Sequence, residues 1–392
     1  MLSRLGPIRR FFPTLTKVTR TTMSTQQQEI RLPLAADMHV HLRHGVMMRT
    51  VTPALQQTGV STFLVMPNLV PPITTVAMAQ AYKAELHALH PTAEFLMTLY
   101  LTPELTPAEI ANAAAAGITG VKSYPRGVTT NSTAGVESYD RYYEVFAAMQ
   151  DHGLILHLHG ECPSSAKLNI TVMNAEERFL DQLQKLHADF PRLRIILEHA
   201  TTAAAVELVQ RLGDTVAASL TVHHLFLTVD DWAGLPHAFC KPVAKTYADR
   251  DALRAIVKAK HPRFFLGTDS APHPRHAKES ARAPAGVFTS LFPLQYLATV
   301  MHREGMLDAL EGFACVFGRQ FYKIPVPTER PVVLTYHPEV DAEGKAVKGT
   351  RVPASITVAD LEAENEDGIK KPVQVVPFLA GEMLPWTLSV VV

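Results

Sequence analysis

The chain has 392 residues, 47% of them hydrophobic, enough to bury a sizeable core as one large α/β barrel or as two domains. Lys+Arg 37 against Asp+Glu 37 leaves a formal net charge of +0, which excludes the basic footprint of sequence-independent nucleic-acid binding and favours a small polar substrate. Cys162, Cys240 and Cys315 lack any C-x-x-C spacing, so neither a disulfide framework nor a thiolate zinc site is suggested, and no run approaches the roughly 18 consecutive apolar residues of a membrane span.

Residues 1–28 carry Arg4, Arg9, Arg10, Lys17 and Arg20 with no acid before Glu29, the composition of an organellar, mitochondrial transit peptide. Met23 opens a second possible start, and the preferred reading is a basic, disordered leader on a cytoplasmic protein. The run 37–45, DMHVHLRHG, follows. As a strand it points Asp37, His39 and His41 to one side, the histidines roughly 6.6 Å apart along the backbone, and Met38, Val40 and Leu42 to the other. Alone, H-x-H serves packing as well as metal. Further ligands at later strand ends would decide.

A helix over 46–57 ends at Gly59, and 60–68 reads as a buried strand. A helix over 76–89 and a strand over 94–101 repeat the pattern. Thr106, Pro107 and Glu109 then predict a helix start with N-cap, N1 proline and capping-box acid, Gly117 closes that helix, and ITGVKSYP is the fourth strand. Strands are expected over 154–160, 193–199, 216–223 and 263–269, with helices over 139–152, 174–189, 202–212 and 251–260. Eight strand-then-helix units predict a (β/α)8 TIM barrel. An open doubly wound sheet is disfavoured because no glycine-rich phosphate turn follows the first strand. The tail, with its prolines, short Val-rich runs and DLEAENEDGIKK, predicts two or three short strands and an exposed loop. The expected organisation is therefore a leader (1–28), a barrel (29–324) and a small β-containing C-terminal extension packed on it (325–392).

Chemistry in such a barrel gathers at the carboxyl ends of the strands. Here those ends carry His39, His41, Asn68, Lys122, His159, Glu161, Glu198, His199, His223, His224 and Asp269. Neutral imidazole with carboxylate suits zinc. An ammonium at Lys122 would be repelled by such an ion, so burial and the cation together would depress its pKa. The resulting amine can add carbon dioxide, and the carbamate formed has two oxygens with which to bridge two metals.

HVHLR, MPNL, the lysine of VKSYP, LHGE, ILEHATT and GTDSAPH occur here in the order found in dihydroorotases of the amidohydrolase superfamily. HHLFLTVDDWAG and FCKPVAK resemble stretches of the monofunctional fungal-type enzymes, and PFLAGE is a further anchor near the end. The resemblance implies that His39 and His41 bind one zinc, with Asp269 completing that site, and His159 and His199 bind the other. It implies a carboxylated Lys122 bridging the two, a shared hydroxide as nucleophile, and Asp269 as the catalytic proton carrier. The reaction implied is the reversible cyclisation of N-carbamoyl-L-aspartate to L-dihydroorotate. Arg43, Asn68 and His273, with a backbone contact near Ala285, would bind the substrate carboxylate.

The resemblance also implies that Thr129 and Thr130, in the small polar segment 127–135, close over the substrate. Arg126 and Lys241 depart from residues that relatives carry, at the loop seat and the base edge. It suggests a homodimer. Of the other histidines, His157 reads as a satisfied core residue one layer deeper, His223 and His224 as orienting partners, and His87, His90, His152 and His187 as solvated. The rival readings are a hydantoinase or allantoinase, and a metal-free barrel kept as a scaffold.

Overall fold

The computed structural model describes residues 28–132, 135–364 and 370–391. All of the leader except Gln28 lies outside them. A short strand, β1 (Glu29–Leu32), enters first. Eight parallel strands then form one sheet in sequence order: β2 (Ala35–Val40), β3 (Val60–Val65), β4 (Glu94–Tyr100), β5 (Gly120–Ser123), β6 (Ile155–His159), β7 (Ile195–Glu198), β8 (Val216–Leu220) and β9 (Phe264–Leu266). Val40 bridges Ser270, Asp269 N donates to His39 O at 2.9 Å, and His41 N donates to Ser270 O at 3.0 Å, which joins the last strand to the first. Asp37 reinforces this seam, its carboxylate accepting from Thr268 N at 2.8 Å and Thr268 Oγ1 at 2.6 Å. The fold is the (β/α)8 barrel that the alternating pattern predicts.

Strands covered on both faces must be buried at every position, and β2, β5, β6, β7, β8 and β9 are. The connecting helices start where the sequence supplies caps. Thr75 Oγ1 accepts from Met78 N to open Val76–Leu89, and Thr106 Oγ1 accepts from Glu109 N to open Pro107–Ala115. Glu109 departs from the expected capping box: its carboxylate takes Val76 N at 2.8 Å and so ties two helices together. The helix expected from 251 runs Tyr247–Lys258, because Thr246 and Asp249 form a capping box one turn earlier. The eighth barrel helix, Pro293–Arg303, is not among the helices expected from the sequence, although it is amphipathic: it opens on an N1 proline, buries Pro293 to Ala298, Val300 and Met301, and leaves Arg303 exposed.

The tail departs further. Instead of two or three strands it forms six: β10 (Val332–Tyr336), β11 (Thr350–Arg351), β12 (Ile356–Glu364), β13 (Lys370–Val375), β14 (Met383–Leu384) and β15 (Trp386–Val390). β11 and β14 are two residues each and exist only through each other, so no local pattern announces them. The charged stretch 360–371 is not simply an exposed loop: 360–364 and 370–371 are arms of the β12–β13 hairpin, and 365–369 lie outside the described residues. β1 pairs antiparallel with β10, and β10 with β15, so the first and last strands among the described residues share one small sheet. Beneath the barrel the buried guanidinium of Arg319 donates to Leu34 O, Ala35 O, Ser61 Oγ and Thr62 Oγ1 at 2.8–3.1 Å. Among the described residues no helix is long and apolar enough to cross a membrane.

Candidate metal centre and substrate pocket

Four imidazoles meet at the carboxyl end of the barrel. Ring centroids lie 5.4 Å apart for His39 and His41, 5.1 Å for His39 and His199, and 4.7 Å for His159 and His199. All four are buried. Burial pushes the imidazolium forms of His159 and His199 down and that of His41 to about 4, so these rings are neutral near pH 7.

Three rings have one nitrogen committed to an acceptor. His39 Nδ1 meets Glu198 Oε2 at 2.7 Å, His41 Nδ1 meets Asn68 Oδ1 at 2.8 Å, and His159 Nε2 meets Glu161 Oε2 at 2.8 Å. A neutral ring has a single N–H, and donating it there leaves a lone pair on Nε2 of His41 and on Nδ1 of His159; the contact to Glu198 likewise leaves Nε2 of His39 as the nitrogen facing Asp269. Asp269 Oδ1 lies 3.0 Å from His41 Nε2 and 3.4 Å from His39 Nε2. Three acceptors at that spacing repel one another unless a cation lies among them. The donor set fits a metal ion, and it is the nitrogen and oxygen set that zinc accepts.

Lys122 is fully buried at the end of β5, its Nζ without a hydrogen-bond partner and 5.2 Å from the centroid of the Tyr124 ring. Burial pushes its ammonium down to about 8. A buried amine with no acceptor fits conversion to a carbamate, whose oxygens would give two cations a shared ligand.

The backbone at this rim is strained. Arg43 (φ +62°), His199 (φ +43°) and Asp269 (φ +47°) are all left-handed without being glycine, a costly conformation that concentrates at functional sites. Gly267, in GTDSAPH, has a packing reason: a Cβ there would stand 2.8 Å from Ser219 Cβ and 3.0 Å from His39 Cβ.

Beside the histidines lies a cationic recess. Arg43 Nε donates to Pro272 O at 2.9 Å, and its terminal nitrogen lies 3.0 Å from His273 Nε2, which is 2.9 Å from Ala285 O. That ring nitrogen either accepts from Arg43 or donates to Ala285, and serves one at a time. The Tyr82 hydroxyl donates to Arg43 O and fixes the backbone from behind. Arg43, Asn68, Thr129, Thr130 and Ala285 line one pocket together with His39, His41, His159, His199 and Asp269. Lys122 and His273 are not among the residues that line it.

Some contributors have no role assigned from sequence, although Glu198 stands among the polar strand ends and Lys241 among the departures from relatives. Glu198 also accepts from His157 Nδ1 at 2.7 Å and from Ser219 Oγ at 2.5 Å, so one carboxylate orients three groups. Its visible signal was an acid ending an otherwise apolar strand, since a buried carboxylate demands donors. Tyr124 and Lys241 line the pocket too. The threonines of ILEHATT are structural: the Glu176 carboxylate accepts from the N–H and hydroxyl of both Thr201 and Thr202. His90 is buried rather than solvated and ends helix Val76–Leu89 through its N–H to Leu86 O. His223 and His224 sit on a turn after β8, not on the strand, and His224 Nε2 meets Pro242 O at 3.0 Å. Arg126 pairs with Glu137 at 2.6 Å on the surface.

The chain matches the family model described as amidohydrolase over residues 36–218. A dihydroorotase from Mycosarcoma maydis is 46% identical over 400 residues, spanning 92% of this chain and 98% of that protein. A probable dihydroorotase from Schizosaccharomyces pombe is 49% identical over 361 residues, spanning 92% of this chain and 99% of the other. Among solved structures, a dihydroorotase in complex with 5-fluoroorotic acid from Saccharomyces cerevisiae superposes with a TM-score of 0.83 at 42% identity, covering 93% of this chain and 99% of that one. The chain belongs to the dihydroorotases of the amidohydrolase family.

Proposed function

We propose that the pocket carries two zinc ions, one held by His39, His41 and Asp269 and the other by His159 and His199, with Lys122 carboxylated to span them. On this reading the enzyme interconverts N-carbamoyl-L-aspartate and L-dihydroorotate. The observation that carries it is the group of buried nitrogen donors around Asp269 Oδ1, with an unpartnered buried amine at another strand end, in a chain of the dihydroorotase family. When bound, the ions supply Lewis-acid polarisation of the amide carbonyl and of water.

The protein's own groups do the rest. Arg43, with Asn68 and His273 beside it, holds the substrate carboxylate by charge-assisted hydrogen bonds and aligns the ring amide with the histidines. Ala285 O offers an acceptor at the same edge. Thr129 and Thr130 cover the substrate and exclude water. In hydrolysis an O–C bond forms to the amide carbonyl carbon and the ring C–N bond breaks. Asp269 takes the proton released by the attacking water and returns it to the departing nitrogen. In the biosynthetic direction the same proton path runs backwards and water is lost from the carboxyl group.

The same reading takes 29–324 as the catalytic unit, 325–392 as an extension packed on it, and the protein as a cytoplasmic homodimer acting on a small molecule, without nucleic acid. Metal analysis of active protein, with mass analysis of the peptide bearing Lys122, tests the centre. Two equivalents of zinc and a carbamate are expected. Active protein holding no divalent metal would overturn the two-ion reading, and metal-loaded protein that turns over neutral hydantoins but not dihydroorotate would overturn the substrate assignment.

A further inference from the structure

The turn 127–132 is folded on itself. Gly127 N donates to Ser132 O at 3.0 Å, Thr129 N to Ser132 Oγ at 3.1 Å, and Ser132 Oγ to Thr129 O at 2.7 Å. What keeps it over the pocket is therefore its outward contacts. Apart from bonds to the adjoining backbone, Val128 N to Pro125 O at 3.3 Å and Gly135 N to Ser132 O at 3.0 Å, four of those among the described residues are neutral: Asn131 Nδ2 to Asn68 O at 2.9 Å, Asn68 Nδ2 to Thr130 O at 3.2 Å, the Tyr100 hydroxyl to Asn131 O at 3.4 Å, and Thr130 Oγ1 to Ala285 O at 3.5 Å. The fifth is Lys241 Nζ to Val128 O at 2.7 Å. It is the shortest, and among these contacts the only one with a charged donor, a class of hydrogen bond roughly twice as strong as the neutral kind.

The base of Lys241 is rigid. The buried ammonium of Lys278 donates to Phe239 O and Pro284 O at 2.9 Å and to Gly286 O at 2.8 Å, and Gly286 N donates to Phe239 O at 3.1 Å. On the other side Cys240 Sγ donates to Pro242 O at 3.2 Å. A fixed cation thus grips a turn otherwise held by longer, neutral contacts.

We propose that Lys241 is a positioning residue that latches the turn over the pocket before substrate arrives, keeping Thr129 and Thr130 in place. The inference rests on reading this pocket as the substrate site. A ligand that needs the closed turn binds with an affinity reduced by the closed fraction, so losing the latch raises KM while saturating substrate restores closure and kcat.

The test uses the full-length, metal-loaded protein and Lys241→Met and Lys241→Arg, with two readouts. Amide hydrogen exchange across 127–132 without substrate is expected to quicken roughly tenfold in Lys241→Met and to return towards the parent rate in Lys241→Arg, which keeps a cationic donor. KM for dihydroorotate is expected to rise roughly tenfold in Lys241→Met with kcat within about twofold. Unchanged exchange in Lys241→Met overturns the latch whatever the activity. Faster exchange with unchanged KM overturns its link to binding, and a fall in kcat at constant KM makes Lys241 part of the chemistry instead. If the parent protein fails to turn over dihydroorotate, the substrate reading fails, while the exchange measurement still judges the latch.

Discussion

Oε2 of Glu198 lies 2.7 Å from Nδ1 of His39, and that contact decides which nitrogen of the ring is left for an ion. Replacing the carboxylate with an amide weakens the acceptor and removes the charge that makes the imidazole a stronger base. Glu198→Gln is expected to lower metal affinity by about 10- to 100-fold, measured by competition with a chelator. Affinity equal to that of the parent would remove Glu198 from the metal's support.

Lys122 gives a pH dependence with a definite sign. Its folded-state pKa is depressed to about 8 by burial, so the ammonium dominates below that value and the amine above it. Only the amine adds carbon dioxide. Recovery of activity by chelated protein, given zinc at a fixed concentration of dissolved carbon dioxide, should accelerate as pH rises through about 8 and then level off. A rate that falls with rising pH would contradict the carbamate. Lys122→Ala should recover nothing without an added short-chain carboxylate.

Arg43→Ala removes the cation that the proposal assigns to the substrate carboxylate. Losing one charged hydrogen-bond partner costs about 1.5–3 kcal/mol, a rise in KM of roughly 10- to 150-fold. The steady-state comparison with a neutral cyclic amide is the control. Equal losses on both substrates would mean that Arg43 holds the rim together and does not read charge.

Arg319 offers the opposite case, a buried charge far from the chemistry. Its guanidinium satisfies two backbone carbonyls and two hydroxyls beneath the barrel, and Arg319→Met leaves those acceptors without donors. A stability loss of about 3 kcal/mol is expected in denaturant unfolding, with kcat/KM unchanged in the folded fraction.

The barrel was legible because most of its strands are short, largely apolar runs between helix signals, and those signals are local. Helix Val76–Leu89 occupies the residues its pattern marks out. Pro293–Arg303 carries readable signals, an N1 proline and an apolar face, although it is not among the expected helices, whereas β11, β14 and the β1–β10–β15 sheet have no local signal because pairing partners distant in the chain define them. At the pocket, spacing marks which histidines share a strand face. It does not mark Glu198, whose partners His39 and His157 lie 159 and 41 residues away in the chain. Nor does it mark Lys241, since a lysine before a proline looks like any rim residue until Val128 O is seen beside it.

The joint between β2 and β9 gives the cylinder a buckle. The other joints of the hoop link consecutive strands, whereas this one brings together groups such as Asp37 and Thr268 that are 231 residues apart. Its backbone fastenings run from His39 to Asp269 and from His41 to Ser270, so three of the four residues are those whose side chains surround the proposed ion. An ion seated there rivets the hoop at its longest-range closure, and a chelator, by drawing the rivet, would loosen that joint before the others.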